Sequence, residues 1–193
     1  LRRPPFGHKA KSAHDMGREF RILNQLNDDF PYCPKAYVHC TDESVIGAEF
    51  YVMERVNGII LRSEIPAELN LDAGKTRKLC ESFIDKMVEL HNVDYEACGL
   101  GDLGKPEGYV SRQINGWADR YEKALTPDAP HWEPVKAWLR EKMPADHPKP
   151  AIVHNDYRFD NVILDPQNPM NIIGVLDWEL TTIGDPLMDL GNT

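Results

Sequence analysis

The sequence predicts an α+β chain, with a small N-terminal lobe of strand and helix and a larger, mainly helical C-terminal lobe that carries a β-hairpin. Three observations lead there. Helical apolar spacing runs through residues 14–27, 75–91 and 109–143. A short aromatic and β-branched run, "FYVM" at 50–53, gives way to a polar stretch ending in Asn57-Gly58. From residue 151 the apolar runs turn short and β-branched: "AIV", then "VIL", then "IIGVL". The 193 residues, 41% of them hydrophobic, suffice for one sizeable core or two small lobes sharing a cleft.

The first helix, "HDMGREFRILNQLN" (14–27), aligns Met16, Ile22, Leu23 and Leu26 on one stripe. Glu19 falls on that stripe too. It either sits half-exposed at the edge or faces inward with a cationic partner, because a lone buried charge is costly. The strand from Phe50 to Met53 then runs out towards Asn57-Gly58, a natural boundary between lobes. In the helix from Lys75 to His91, Leu79, Phe83, Met87 and Leu90 recur at helical spacing. Cys80, Ile84 and Val88 widen that stripe, so burial on much of its surface is expected. Two further helices, 109–125 and 131–143, flank "TPDAP" and bring Trp117, Tyr121, Trp132 and Trp138, expected mostly as packing residues, with some available to a substrate pocket.

Composition narrows the function classes. Acidic residues outnumber basic ones, 31 to 22, for a formal net charge of −9, which argues against broad nucleic-acid or anionic-membrane binding. Mean hydropathy is −0.50, no apolar run approaches the roughly 18 residues of a membrane span, and "LRRPP" is not followed by a signal-like apolar stretch. Of the 4 cysteines, Cys33 and Cys40 lie near His39, but the spacing matches no common zinc motif. Scattered cysteines fit a reducing compartment, so a cytoplasmic location is expected.

The chemistry concentrates in "AIVHNDYRFDNVIL" (151–164), where Asp156, Asp160 and Asn161 share one loop. "DPQNPMN" marks a reversal, so Val162–Leu164 and Ile172–Leu176 are expected to pair as an antiparallel hairpin. Asn161 then precedes the outgoing strand and Asp177 follows the returning one, which places both at the same open end. Oxygen donors converging there suit a hard cation such as Mg²⁺. Without one, two unit charges about 4 Å apart repel by roughly 4 kcal/mol at an effective dielectric near 20. A bland alternative is a turn dressed with Asp and Asn caps; the delivery of Asp177 to the same end favours the metal reading.

The segment "HNDYRFDN", followed by "VLDWE", resembles the aminoglycoside phosphotransferase and choline kinase superfamily, whose fold is protein-kinase-like and two-lobed. "LRRPP", "AHDMGREFRIL", "DESVIGAEFYVME" and "VLDWELTTIGDPLMDL" are most similar to the branch associated with acyl-CoA dehydrogenases. The resemblance spans nearly the whole chain. It implies an N-lobe at 1–56, a C-lobe at 57–193, a catalytic loop at 154–161 and metal-binding residues at 177–179. By it, Asp156 is the carboxylate that accepts a proton from the acceptor hydroxyl, and His154 braces the loop. Asn161 and Asp177 hold Mg²⁺ against the phosphates of ATP. Glu19 pairs with a basic strand residue, Arg2 with Arg3 as the fallback, and Met53, Glu54 and Val56 belong to the hinge that meets adenine. Asp185 and Asp189 are expected as structural carboxylates, while Arg158 and Glu179 either touch substrate or pair with neighbours.

Two departures stand out. Arg replaces the usual Lys on the strand, which keeps the charge and adds a bidentate fork. The chain also begins at that strand, without an upstream Gly-rich phosphate loop, and stops where relatives continue into further helices; it reads as part of a larger polypeptide. The implied activity is ATP-dependent phosphorylation of a hydroxyl on a small molecule, with a hydroxyacyl compound or another small alcohol as acceptor. Against it stand a non-catalytic, pseudokinase-like module that binds nucleotide or a partner, and a metal-dependent phosphohydrolase. The sequence selects neither the acceptor nor an oligomeric state.

Overall fold

The computed structural model describes residues 1–5, 14–62 and 64–192. Helix α1 spans Met16–Leu26 and begins where the Asp15 carboxylate accepts from the Arg18 amide at 2.9 Å, satisfying an otherwise unpaired first-turn donor. Its stripe is buried as the spacing requires, and Glu19, only 2% exposed, lies on it. Strands β1 (Ala36–Cys40) and β2 (Phe50–Met53) pair antiparallel, with His39 opposite Tyr51 and Cys40 opposite Phe50. On its other edge, Tyr51 exchanges both main-chain hydrogen bonds with Arg2, each 2.9 Å. That exchange places the Arg2 side chain over the sheet facing α1.

Strand β1 carries no alternating pattern, since Tyr37 and Val38 are both exposed; only its pairing with β2 makes it a strand. His39, one of the residues weighed for zinc, pairs with Glu49 at 2.6 Å and stacks on Phe20. Cys33 lies buried apart from Cys40, which is half-exposed.

Helix α2 (Ala73–His91) buries Leu79, Phe83, Met87 and Leu90. Burial on much of its surface does not occur: Cys80 and Val88 are exposed, so the apolar stripe is single and narrow. Helices α3 (Tyr109–Ala124) and α4 (Glu133–Glu141) form as expected, but their tryptophans are not packing residues. Trp117, Trp132 and Trp138 are 60%, 54% and 57% exposed. Trp117 and Trp132 instead line an open cavity between the two helices, and the Arg120 guanidinium lies over the Trp117 ring at 4.7 Å.

Strand β3 (Ala151–Val153) pairs antiparallel with β6 (Thr182–Gly184), a partnership between three-residue runs too short for periodicity to reveal. The expected hairpin joins β4 (Val162–Leu164) to β5 (Ile172–Val175), with Val162 opposite Val175. Helix α5 (Leu187–Asn192) follows β6. The core unites both parts: Ile22, Leu23 and Leu26 of α1, Phe83 and Leu90 of α2, and Val162, Leu164, Val175 and Trp178 of the hairpin region. No helix of the described residues is long and apolar enough to cross a membrane.

Ile59 extends the hairpin by one more rung, exchanging main-chain bonds with Leu164 at 2.9 and 2.8 Å. This close approach explains Gly58. A Cβ there would lie 2.3 Å from Ile163 Cγ2 and 2.5 Å from the Leu164 carbonyl oxygen. The carbonyl is part of the pairing and cannot retreat. Gly58→Ala is therefore expected to lower unfolding free energy by about 1–3 kcal/mol, as overpacking does, measured by urea unfolding.

Candidate functional site

The loop from His154 to Asn161 is anchored from below by alternate residues. Phe83 of α2 stacks on Phe159 and touches Tyr157, with ring centroids 4.2 and 4.5 Å away, and the Tyr157 hydroxyl donates to the Phe83 carbonyl at 3.0 Å. Asp189 of α5, fully buried, accepts from the amides of His154 at 2.9 Å and Asn155 at 2.7 Å. His91 contributes a third contact to the same carboxylate, at 2.8 Å. These bonds hold Asn155 at φ 64°, in the left-handed region that Asn tolerates best among non-glycine residues. Asp156, Arg158 and Asp160 are left pointing outward.

His154 is fully buried, and both ring nitrogens are engaged. Nδ1 accepts from the Asp156 amide at 3.2 Å, and Nε2 lies 2.9 Å from the Leu176 carbonyl, to which it donates as the neutral tautomer. A ring occupied in this way orients the loop and has no nitrogen left for a substrate proton.

Asn161 and Asp177 meet at the open end of the hairpin. The Leu176 amide donates to the Asn161 carbonyl at 2.7 Å, so the residues next to the strands remain paired past them. The Asn161 amide nitrogen donates to the Asp156 carbonyl at 2.9 Å and to its carboxylate at 2.7 Å. That leaves the Asn161 amide oxygen as the atom it offers to a cation. Asp177 adopts φ 70°, which turns the chain sharply out of β5 at the residue that bears the carboxylate. No group of three or more His, Cys, Asp or Glu side chains suited to a metal occurs among the described residues. The donors are instead an amide and a carboxylate oxygen, a sparse hard set of the kind magnesium uses when phosphate oxygens and water complete its shell. These residues fit that ion.

Of the two basic residues weighed as the partner of Glu19, the structure pairs Arg2 with it. Its Nε lies 2.9 Å from Glu19 Oε2, and its Nη2 lies 2.8 Å from Asp177 Oδ1 and 3.1 Å from Glu179 Oε2. The inward-facing reading of Glu19 thus prevails over the half-exposed one. Burial lowers the Arg2 pKa, but Glu19 and Asp177 together lift it above its ordinary value. Glu179 pairs with His14 as well as with Arg2. Arg158 reaches Asp156 at 3.2 Å and Asp160 at 3.0 Å, so both residues left open by the sequence pair with neighbours: Arg158 with two carboxylates, Glu179 with Arg2 and His14.

A cleft of about 380 Å³ opens between the chain leaving β2 and the hairpin; Met53, Glu54, Val56 and Gly58 line one side, Ile163 and Leu176 another. It ends at Leu176, adjacent to Asp177. The Glu54 amide donates to the Lys35 carbonyl at 2.8 Å, so β1 braces this segment. Sequence reasoning missed Arg18 and Tyr157. Tyr157 sits inside the loop motif, but nothing about its spacing marks it as buried, and Arg18 reads as an ordinary solvated helix residue.

His154 and Glu19 respond to pH in opposite senses. Burial lowers the His154 pKa from 6.5, so the unfolded chain takes a proton that the native state refuses, and stability falls as pH drops below that value. Burial, opposed by the Arg2 charge, pushes the Glu19 carboxyl from 4.5 up to about 7. The native state keeps a proton that the unfolded chain has released, so this contribution falls as pH rises from 4.5 to about 7. Glu19→Gln is expected to steepen acid destabilisation between about pH 7 and 5, and His154→Gln to flatten or reverse it, each by up to about 1.4 kcal/mol per pH unit. Urea unfolding at the two pH values reads both.

Comparison with known proteins places this geometry. Acyl-CoA dehydrogenase family member 11 of Homo sapiens is 36% identical over 194 residues. Family member 10 of Mus musculus is 35% identical over 190 residues. The chain spans only 24% of the first and 17% of the second, while they cover 100% and 98% of it. Among solved structures, a candidate aminoglycoside phosphotransferase from Ralstonia eutropha JMP134 superposes with a TM-score of 0.80 at 36% identity, over 93% of this chain and 54% of that one. An aminoglycoside-3'-phosphotransferase of type VIII, 20% identical, shares the fold with a TM-score of 0.64, over 100% of this chain and 76% of that one. The fold is therefore the two-lobed, kinase-like one that the loop motif implied. The family model described as the phosphotransferase enzyme family matches residues 1–193, and the chain belongs to that family.

Proposed function

We propose that the chain transfers a phosphoryl group from ATP, with Mg²⁺, to a hydroxyl of a small molecule. One observation carries the reading: Asp156, Asn161 and the chain bearing Asp177 are joined by hydrogen bonds of 2.7–2.9 Å at the hairpin's open end, beside the cleft bounded by Met53–Val56. Adenine lies in that cleft, and the phosphates run towards Arg2. Magnesium, when bound by Asn161 and Asp177, neutralises charge on the phosphate oxygens. Arg2, held by Glu19, presents a planar cation to the same oxygens. Asp156 orients the acceptor hydroxyl and takes its proton; its own carboxylate is aimed by the Asn161 amide. His154 keeps the loop and the Leu176 junction in register. Because phosphoryl transfer passes through a loose transition state, positioning and charge neutralisation matter more than the base.

The relatives that carry acyl-CoA dehydrogenase in their names make a hydroxyacyl compound a natural acceptor class. The carboxylate-rich site, with Arg158 already paired to Asp156 and Asp160, suits a neutral hydroxyl better than a second phosphate. The whole protein acts on a small molecule in the cytoplasm, without nucleic acid or membrane.

Asp156→Asn is expected to lower turnover by about 10²–10⁴, leaving a residue of ATP-dependent activity, measured as ADP formation across a panel of hydroxylated metabolites with the intact protein. Wild-type rates in that variant would remove Asp156 from its role. Asn161→Ala and Asp177→Asn are each expected to abolish the magnesium-dependent part of thermal stabilisation by ATP while preserving the metal-free part.

One feature favours a second reading, a nucleotide-binding module without catalysis: Arg2 already compensates Asp177 at 2.8 Å, so the acidic cluster is partly satisfied without a metal. ATP binding that is indifferent to magnesium, together with no ADP formed on any acceptor, would select it.

A further inference from the structure

Arg18 stands beside Glu19 on α1 but does something different. Its guanidinium donates to the main-chain carbonyl of Glu179 at 2.9 Å and to that of Thr181. These are the carbonyls just beyond Asp177, across 161 and 163 residues of chain. The upstream side of Asp177 is fastened by the catalytic loop: Leu176 donates to Asn161 and accepts from His154. Trp178, buried, anchors the turn to Val175 through its indole N–H at 2.9 Å. Asp177 itself holds a left-handed φ, uncommon for a non-glycine residue though better tolerated by Asp than by most. Its surroundings are these pins, and the downstream one comes from the other lobe.

We infer that Arg18 is a positioning residue that makes the placement of the Asp177 carboxylate depend on α1. The inference rests on the phosphotransfer reading above. The link differs in kind from the Glu19–Arg2–Asp177 chain. That chain is ionic and meets the carboxylate itself, where phosphate or metal competes for it. Arg18 grips neutral main-chain oxygens, so its hold persists when Asp177 changes partners. A single planar cation with several donors can satisfy two carbonyls at once; lysine cannot match that fork. Burying the Thr181 carbonyl without a partner would release the turn, because an unpaired buried acceptor is expensive. Movement of α1 is thereby transmitted to the metal ligand through two successive residues, one by charge and one by backbone.

The test compares wild type, Arg18→Met and Arg18→Lys in the intact protein. Three quantities are read: hydrogen exchange of amides 176–181, Mn²⁺ affinity in the presence of a non-hydrolysable ATP analogue, and affinity for that analogue without metal. In Arg18→Met, exchange in the turn is expected to quicken and Mn²⁺ to bind about tenfold more weakly, the scale of one lost hydrogen bond. Metal-free nucleotide affinity should stay within about twofold, and Arg18→Lys should fall between the two. The magnesium concentration required for half-maximal turnover should rise in step, with kcat largely recovered at saturating metal. If Arg18→Met does not fold, Arg18→Lys carries the same measurements with smaller shifts. Faster exchange without loss of metal affinity would make Arg18 a merely structural contact and overturn the inference, as would unchanged exchange. A wild type that binds nucleotide with no metal dependence overturns the phosphotransfer reading and this inference together; normal wild-type binding beside an unaffected variant overturns the inference alone.

Discussion

The site depends on the junction at Leu176. Its amide donates to Asn161 and its carbonyl accepts from His154, so a single residue fastens the returning strand both to the outgoing one and to the 154–161 loop. Without that junction, hairpin pairing would stop at Val162 and Val175, and Asn161 and Asp177 would be free to splay apart. With it, a neutral buried histidine and one peptide group set the separation of Asn161 and Asp177. The histidine can do this because burial keeps it uncharged, which preserves the tautomer that accepts on one side and donates on the other.

Charge is organised around the same end. Glu19, Asp177 and Glu179 converge on the Arg2 guanidinium, and Asp156 and Asp160 on Arg158. Each arginine serves more carboxylates than it can neutralise, so the end as a whole stays acidic. An acidic excess of this kind is one that a divalent cation would relieve more effectively than another side chain.

Much of this was readable from residue order. Helix α1 announced itself through its stripe, and Glu19 through its conflict with that stripe. The hairpin was visible because β-branched runs flank a segment rich in Pro and Asn, and it carried Asn161 and Asp177 to one end. Expectations failed where burial depends on neighbours far along the chain. Val88 and Cys80 share helical periodicity with a buried stripe, yet α2 has a partner on one side alone. Trp117, Trp132 and Trp138 have the size of core residues, but α3 and α4 turn them outward. Strand β1 has no alternation to detect, and β3 and β6, at three residues each, are too short to show a period. Periodicity reports a preference for a face and is silent about whether anything covers it.

Sequence alone determined the types and spacing of the groups: a glutamate on an apolar stripe, a basic residue near the start, an oxygen-rich loop and a hairpin with a carboxylate at its exit. These are local properties, set by backbone propensities and by intervals of a few residues. Tertiary structure decided the partners. It chose Arg2 over Arg3 by pairing its main chain with Tyr51, gave His154 both of its bonds, hung the loop on Asp189, and laid Arg18 across the turn beyond Asp177. Such choices bring together atoms separated by up to 177 residues, a distance over which only the packing of a shared core fixes relative position.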